Sequence, residues 1–326
     1  MRVLALAVDD WGNTGAELVK SLNTQSGVVA RGFAHNGHIF KYSHPMEPWN
    51  ESVVRDEWNA ADVLLFIHTM PTSPEGVELT GKLVLVHHGG SAYRQDPTRA
   101  NAFWNEIADA TIIETPDLLN YGAKNEVLIQ TPVDVDALVP LRIGMDSPLH
   151  IAHFPSDHTK KGTDVISHVL WELSKNFPGM FEYRIERERT THAAHIDRMR
   201  WADIYVDVMM PFLWGKPYGE YGIAAREAAA LGCLVVSNHC NPTLYADAYG
   251  ESSPVFAANN AVQLRDVLTH AITMDRRDRS VVRNRLRDWV VRLHSYESTG
   301  ERLVNFITEV RREKEAQHET VNEARQ

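Results

Sequence analysis

Two stretches of the chain combine residue types that can hold an anionic, hydroxyl-bearing ligand. The first is Ser156-Asp157-His158-Thr159-Lys160-Lys161-Gly162-Thr163, a polar loop between an apolar run and a helix that begins near Gly162. A helix start aims unpaired N–H groups outward, and lysine brings a mobile point charge with three donors, so the pair makes a cradle of phosphate size. A lysine in a first helical turn opposes the helix dipole, which itself argues for a bound anion; the plain alternative is a surface lysine. The second stretch runs from Trp214 to Asn238 and contains Gly215, Pro217, Gly219 and Gly222, then an alanine-rich helix over residues 223–231 closed by Gly232. Glu227 is the odd carboxylate on that small apolar helix. It suits hydrogen bonds from sugar or ribose hydroxyls, and its competing role is a solvated glutamate on an exposed face.

A third group follows an apolar strand at residues 83–86: His87-His88-Gly89-Gly90-Ser91, with Tyr93 and Arg94 beyond. In doubly wound sheets ligands bind past the carboxyl ends of strands, so His87 or His88 is placed for general-base or hydroxyl-orienting chemistry near neutral pH. A packed histidine bonded to a carbonyl is the alternative, as a surface arginine is for Arg94. The first strand, over residues 1–8, leads into Asp10-Trp11-Gly12-Asn13-Thr14-Gly15 and a helix over 16–22. That pattern is not Gly-x-Gly-x-x-Gly, which argues against a nicotinamide site.

Gly219-Glu220-Tyr221-Gly222, four residues, Glu227-Ala228 and then Ala230-Leu231-Gly232 resembles the signature helix of retaining glycosyltransferases of the GT-B fold, a Glu, seven residues, Glu pattern. The resemblance implies that Glu227 holds the ribose of a nucleotide. The family's first Glu falls on Gly219, with Glu220 one residue late, and its later proline is Leu234. The loop at Lys161 resembles the family's Pro-Ser-Asn-Arg-x-x-Lys-Gly-Thr, with His158 where arginine is frequent and Lys160 offering a second cation. By the same resemblance Gly12, Ser156, His158, Lys161, Gly162, Gly219, Glu220, Tyr221, Gly222 and Glu227 line the donor. Trp11, Ser91 and Arg94 lie on the acceptor side, and His87, His88, Lys161 and Glu220 are the catalytic candidates.

Composition sets the bounds. At 326 residues, 44% hydrophobic and 23% charged, the chain has material for two cores. Its two cysteines, Cys233 and Cys240, form no redox or disulfide pattern, so a reducing cytoplasm is expected. No apolar run reaches membrane length. Of the net charge of −10, residues 1–147 carry −9, a poor general surface for a polyanion. Three His-x-x-His pairs (His35/His38, His150/His153, His192/His195) and Asp134-Val135-Asp136 invite a metal. The context of each argues against it, and no metal is expected.

Strands over residues 28–33, 61–68, 149–154, 181–185, 204–207 and 234–237, with strand units over 111–119 and 126–129, alternate with helices over 165–177, 191–202 and 261–273. Alternation of this kind means parallel α/β sheets. A proline- and glycine-bearing stretch at residues 138–148 marks a boundary. The expected organisation is a Rossmann-like acceptor-side domain (1–145), a Rossmann-like nucleotide-sugar-binding domain (146–300), and a terminal helix or tail (301–326) crossing back to the first. Two such domains would face each other across a cleft. The expected activity is transfer of a sugar from a nucleotide-diphosphate sugar, a UDP-sugar foremost, to a hydroxyl acceptor, metal-independent and with retention. The acceptor is a glycan, a small molecule or a hydroxymethylated phage DNA base, the last disfavoured by the acidic first half. A sugar-nucleotide epimerase of the same fold and an inactive nucleotide-sugar-binding protein are the alternatives. Neither cofactor nor membrane partner is expected.

Overall fold

The structure, a computed structural model, describes residues 1–68, 70–140, 148–239 and 241–323. The boundary expected near residue 145 and Cys240 lie outside the described residues. The chain forms two compact α/β units. Unit 1 is Met1–His38, His44–Pro132 and Tyr296–Gln326, and unit 2 is Ile39–Ser43 with Val133–Ser295.

In unit 1, β1 (Arg2–Asp9), β2 (Val29–Asn36), β3 (Glu47–Pro48), β4 (Val63–Ile67), β5 (Leu83–His88), β6 (Ala110–Ile113) and β7 (Glu126–Leu128) form one sheet in the order β3-β2-β1-β4-β5-β6-β7. Every pairing is parallel. Such strands are covered on both faces, which is why they read as unbroken apolar runs rather than alternating ones. Alternate residues of β1 serve different cores. Val3, Ala5 and Ala7 pack with Leu18 and Leu22 of α1 (Thr14–Asn23), whereas Leu4 and Leu6 pack with Val54 and Trp58 of α2 (Glu51–Ala60). The short α3 (Gly90–Gln95) and α4 (Pro97–Ile107) follow β5, and Trp104 of α4 joins the α2 side.

Unit 2 contains β8 (Leu149–His153), α5 (Thr163–Asn176), β9 (Phe181–Ile185), α6 (His192–Met199), β10 (Ile204–Val206) and a small hairpin of β11 (Phe212–Leu213) and β12 (Lys216–Pro217). There follow α7 (Ile223–Ala230), β13 (Leu234–Ser237), α8 (Pro242–Tyr249), β14 (Phe256–Ala257), α9 (Ala261–Thr273) and α10 (Arg276–His294). The sheet order is β14-β13-β10-β8-β9, again all parallel. Order reverses between β8 and β10, and in unit 1 between β1 and β4; these switch points are where open α/β sheets admit ligands.

The last helix, α11 (Tyr296–Glu323), belongs to unit 1, and its Leu303, Ile307 and Val310 complete the core under α1. Gly300 makes this contact close: a Cβ there would overlap the carbonyl oxygen of Ser21 on α1. Of the terminal helix or tail expected over 301–326, residues 301–323 are part of α11, and Lys314 Nζ reaches Asp109 at 2.7 Å.

Candidate functional site

The switch point of unit 2 gathers the donor-side residues. β8 and β10 lie side by side, Ile204 against Ile151 and Tyr205 against Ala152. His153, at the end of β8, joins them: its Nδ1–H donates to Val206 O at 2.8 Å and its Nε2 accepts from Thr163 Oγ1 at 2.9 Å. Burial lowers its pKa to about 4, so it stays neutral and keeps this tautomer. The His150/His153 pair is thus bound to protein groups, His150 Nδ1 lying 3.1 Å from Trp201 O.

The loop after β8 folds on itself through Asp157, whose Oδ1 accepts the N–H groups of Thr159 and Lys160, both at 3.1 Å. Gly162 has φ +68°, and a Cβ on it would overlap the Met209 carbonyl, so the start of α5 requires glycine. Met209 N–H in turn donates to Lys161 O at 3.0 Å, tying the loops after β8 and β10 together. Ser156 and His158 are exposed on this loop.

Lys161 Nζ sits 2.8 Å from Asp207 Oδ1, and Asp207 Oδ2 accepts the Gly222 N–H at 3.2 Å. Asp207 is only 2% exposed. Gly222 is the N-cap of α7 and, as a glycine, gives the helix no side-chain cap; it and the first-turn residues Ile223 and Ala224 are part-exposed. One turn further, Glu227 is buried and its Oε1 accepts from His192 Nε2 at 2.6 Å. His192 is fixed by its own N–H, 2.7 Å from Phe40 O, and by the Tyr42 ring at 4.5 Å, both in the short segment Ile39–Ser43. His195 lies within electrostatic reach of both Glu227 and Asp207, and burial lowers its pKa. Lys161, Asp207, Glu227 and the α7 start therefore share one neighbourhood.

The signature loop is held from beneath. Gly219 has φ +82° and no room for a Cβ against the Asn238 side chain. Asn238, fully buried, donates to Tyr218 O at 2.6 Å and to Gly219 O, and accepts from Met210 N–H at 3.0 Å. Glu220 and Tyr221, expected to border the sugar, turn inward. The Glu220 carboxylate pairs with His239 Nδ1 and accepts Asn241 N–H at 2.8 Å, while the Tyr221 ring packs on Trp289, Tyr245 and His239.

Unit 1 has its own cluster at the ends of β1, β4 and β5. Asp10 accepts the N–H groups of Gly15 at 2.7 Å and Ala16 at 3.1 Å, so a resident carboxylate answers the start of α1. Its burial raises the pKa to about 6. Gly12 has φ +68°, and Trp11 is exposed with its edge to His38 at 5.2 Å. The sequence puts His87 and His88 just beyond their strand, but β5 runs through both and buries them. His87 Nε2 donates to Glu114 at 3.2 Å, beside His68. His88 stacks on Tyr93 at 4.2 Å, and burial lowers its pKa to about 3. Arg94 is also buried, its Nε 2.9 Å from Asp117, and Ser91 is half-buried in the first turn of α3.

Sequence reasoning passed over Asp207 as a site residue, although it left a signal, a charge closing an apolar strand at a strand end, and weighed His192 only as a metal ligand.

No protein-family model matches the sequence, and no characterised protein matches it by sequence. Solved structures do match. A glycosyltransferase from Rickettsia africae ESF-5 shares 13% identity over 95% of this chain and 98% of its own, with a TM-score of 0.63. An alpha-glucosyltransferase in complex with UDP and a 13-mer DNA containing a HMU base shares 12% over 94% and 99%, with a TM-score of 0.64. A UDP-N-acetylglucosamine 2-epimerase covers 93% and 94% at 11% identity, with a TM-score of 0.51. The class this likeness defines is a fold: two Rossmann-like parallel α/β units of GT-B type, as the signature helix implied.

Proposed function

We propose that the chain is a glycosyltransferase that moves a sugar from a nucleotide-diphosphate sugar, a UDP-sugar foremost, to an acceptor hydroxyl, with retention and without a metal. One observation carries the proposal: Lys161, the starts of α5 and α7, and Glu227 gather at the β8/β10 switch point. Cation and helix ends stabilise the charge that develops on the departing diphosphate, and the buried carboxylate takes the ribose hydroxyls. Gly162, Gly219 and Gly222 let the backbone approach the donor, with Ser156 and His158 at its rim. Glu220 acts through His239 rather than by touching the sugar, and Tyr221 supports the loop from inside.

On the acceptor side, Trp11 and Ser91 offer contacts. His87, paired with Glu114, positions that side, whereas His88 and Arg94 are enclosed and are assigned no ligand contact. The acceptor is a hydroxyl compound; the charge of −9 over residues 1–147 weighs against a polyanion, although one structural relative was solved with DNA. The two-cysteine composition supports a cytoplasmic setting, and no described helix is long and apolar enough to cross a membrane.

The test is a thermal-shift screen of nucleotide sugars, followed by product analysis with and without hydroxyl acceptors. A true donor raises Tm in proportion to occupancy. Sugar appearing on an acceptor supports transfer. A converted donor sugar with no acceptor consumed supports the epimerase reading, which the 2-epimerase likeness keeps in view. Binding with no turnover supports an inactive binder, and no stabilisation by any nucleotide sugar refutes all three.

A further inference from the structure

Asp207 is a buried carboxylate bonded to two donors that the proposed function reserves for a diphosphate. One oxygen takes the Lys161 ammonium at 2.8 Å and the other takes the Gly222 N–H at 3.2 Å, at the start of α7. A carboxylate that accepts from both a cation and a helix-start amide does what a phosphate would do there. Asp207 is 2% exposed and its own N–H is locked to Val236 O at 2.8 Å, so its backbone is part of the sheet and cannot swing away. The Lys161 side chain, 18% exposed, is the more accessible partner. Its backbone is also fixed, by Met209 N–H on its carbonyl, which leaves the side chain as the part that can turn.

From this geometry we infer that Asp207 is an internal stand-in for the donor diphosphate, holding Lys161 until the nucleotide binds and surrendering it to the phosphates. The inference rests on the diphosphate site proposed above. Asp207 therefore lowers donor affinity while keeping Lys161 aimed and its charge answered before the donor arrives. The same charge favours release of the nucleoside diphosphate after transfer, because the carboxylate competes to recover its cation. Asp207 touches no reacting atom in this account and is a positioning residue.

Isothermal titration of the full chain with UDP and with uridine tests the idea. Asp207→Asn keeps the shape and removes the charge. It is expected to bind UDP on the order of tenfold more tightly, the scale of one close charge contact at a partly exposed site. Uridine, which has no phosphate, should bind as it does to the wild type. Adding Lys161→Met to Asp207→Asn should erase the gain. A merely structural Asp207 would instead weaken both ligands, and weaker or unchanged UDP binding by a folded Asp207→Asn overturns the inference. Should that variant not fold, a structure of the wild type with UDP decides: Lys161 Nζ turned from Asp207 to a phosphate supports the handover, and an intact Lys161–Asp207 pair refutes it. A wild type that binds no UDP removes the proposed donor site and this inference with it. Wild-type binding without the Asp207→Asn gain removes the inference alone.

Discussion

Replacing Glu227 by alanine probes the ribose assignment directly. Glu227 is 6% exposed, and one of its oxygens accepts from His192 at 2.6 Å. A carboxylate offers about four lone-pair sites, so acceptor capacity remains for a sugar hydroxyl without breaking the histidine bond. A hydrogen bond to a charged group contributes about 1.5–3 kcal/mol, and about 1.4 kcal/mol is tenfold in affinity. Glu227→Ala should therefore weaken UDP roughly 10- to 150-fold. The assay is isothermal titration with UDP and 2′-deoxy-UDP, with circular dichroism and Tm as controls on folding. The wild type should prefer UDP, and Glu227→Ala should bring the ratio of the two affinities close to one. His192→Ala, which removes the support and leaves the carboxylate, should weaken UDP less and keep the preference. A folded Glu227→Ala that retains wild-type UDP affinity, or the wild-type preference for the 2′-hydroxyl, refutes the assignment.

Gly162→Ala must move the backbone away from the Met209 carbonyl and occupy φ +68°, at a cost of about 1–3 kcal/mol. Urea unfolding should show that loss, together with weaker UDP binding from the displaced loop. Gly300→Ala forces α11 away from the Ser21 carbonyl on α1, so unit 1 should lose stability by about 1–3 kcal/mol, seen as a drop in Tm. Acid should destabilise the fold. Burial lowers His68 and His88 to about 3 and His153 to about 4 from 6.5, so the unfolded chain takes up protons first as pH falls. Their contribution is complete above pH 6.5 and is lost as pH drops towards 4 and then 3, and His153→Gln should make the decline shallower in urea titrations. Asp10 acts oppositely: its folded pKa of about 6 against 3.8 means its contribution is present below pH 3.8 and lost as pH rises through 6. Asp10→Asn should flatten that limb in the same titrations.

Much of the fold was legible because a parallel strand covered on both faces writes itself as an apolar run, as at residues 61–68 and 234–237. The helices α2 and α4 were not read. The first is mostly polar, with only Val54 and Trp58 buried, and the second carries Pro97 at its start, where proline is at home but looks like a breaker. The histidines at 87 and 88 were placed past their strand because the apolar run stops at Val86; β6 continues the ladder with Ile112 against His87 and Ile113 against His88. An imidazole in a strand breaks the hydrophobic pattern without breaking the backbone pairing.

By itself the sequence determined that this protein has parallel α/β units, where glycines must relieve the backbone, which lysine stands at a helix start and which glutamate interrupts a small apolar helix, since these follow from local propensity and patterning. Only the tertiary structure decided what those groups face. Lys161 meets Asp207 across 46 positions and Glu227 meets His192 across 35, while Glu220 turns inward to His239. Those partners are set by the order of strands in the sheet, which brings the ends of β8, β10 and β13 side by side, and no local spacing encodes that order.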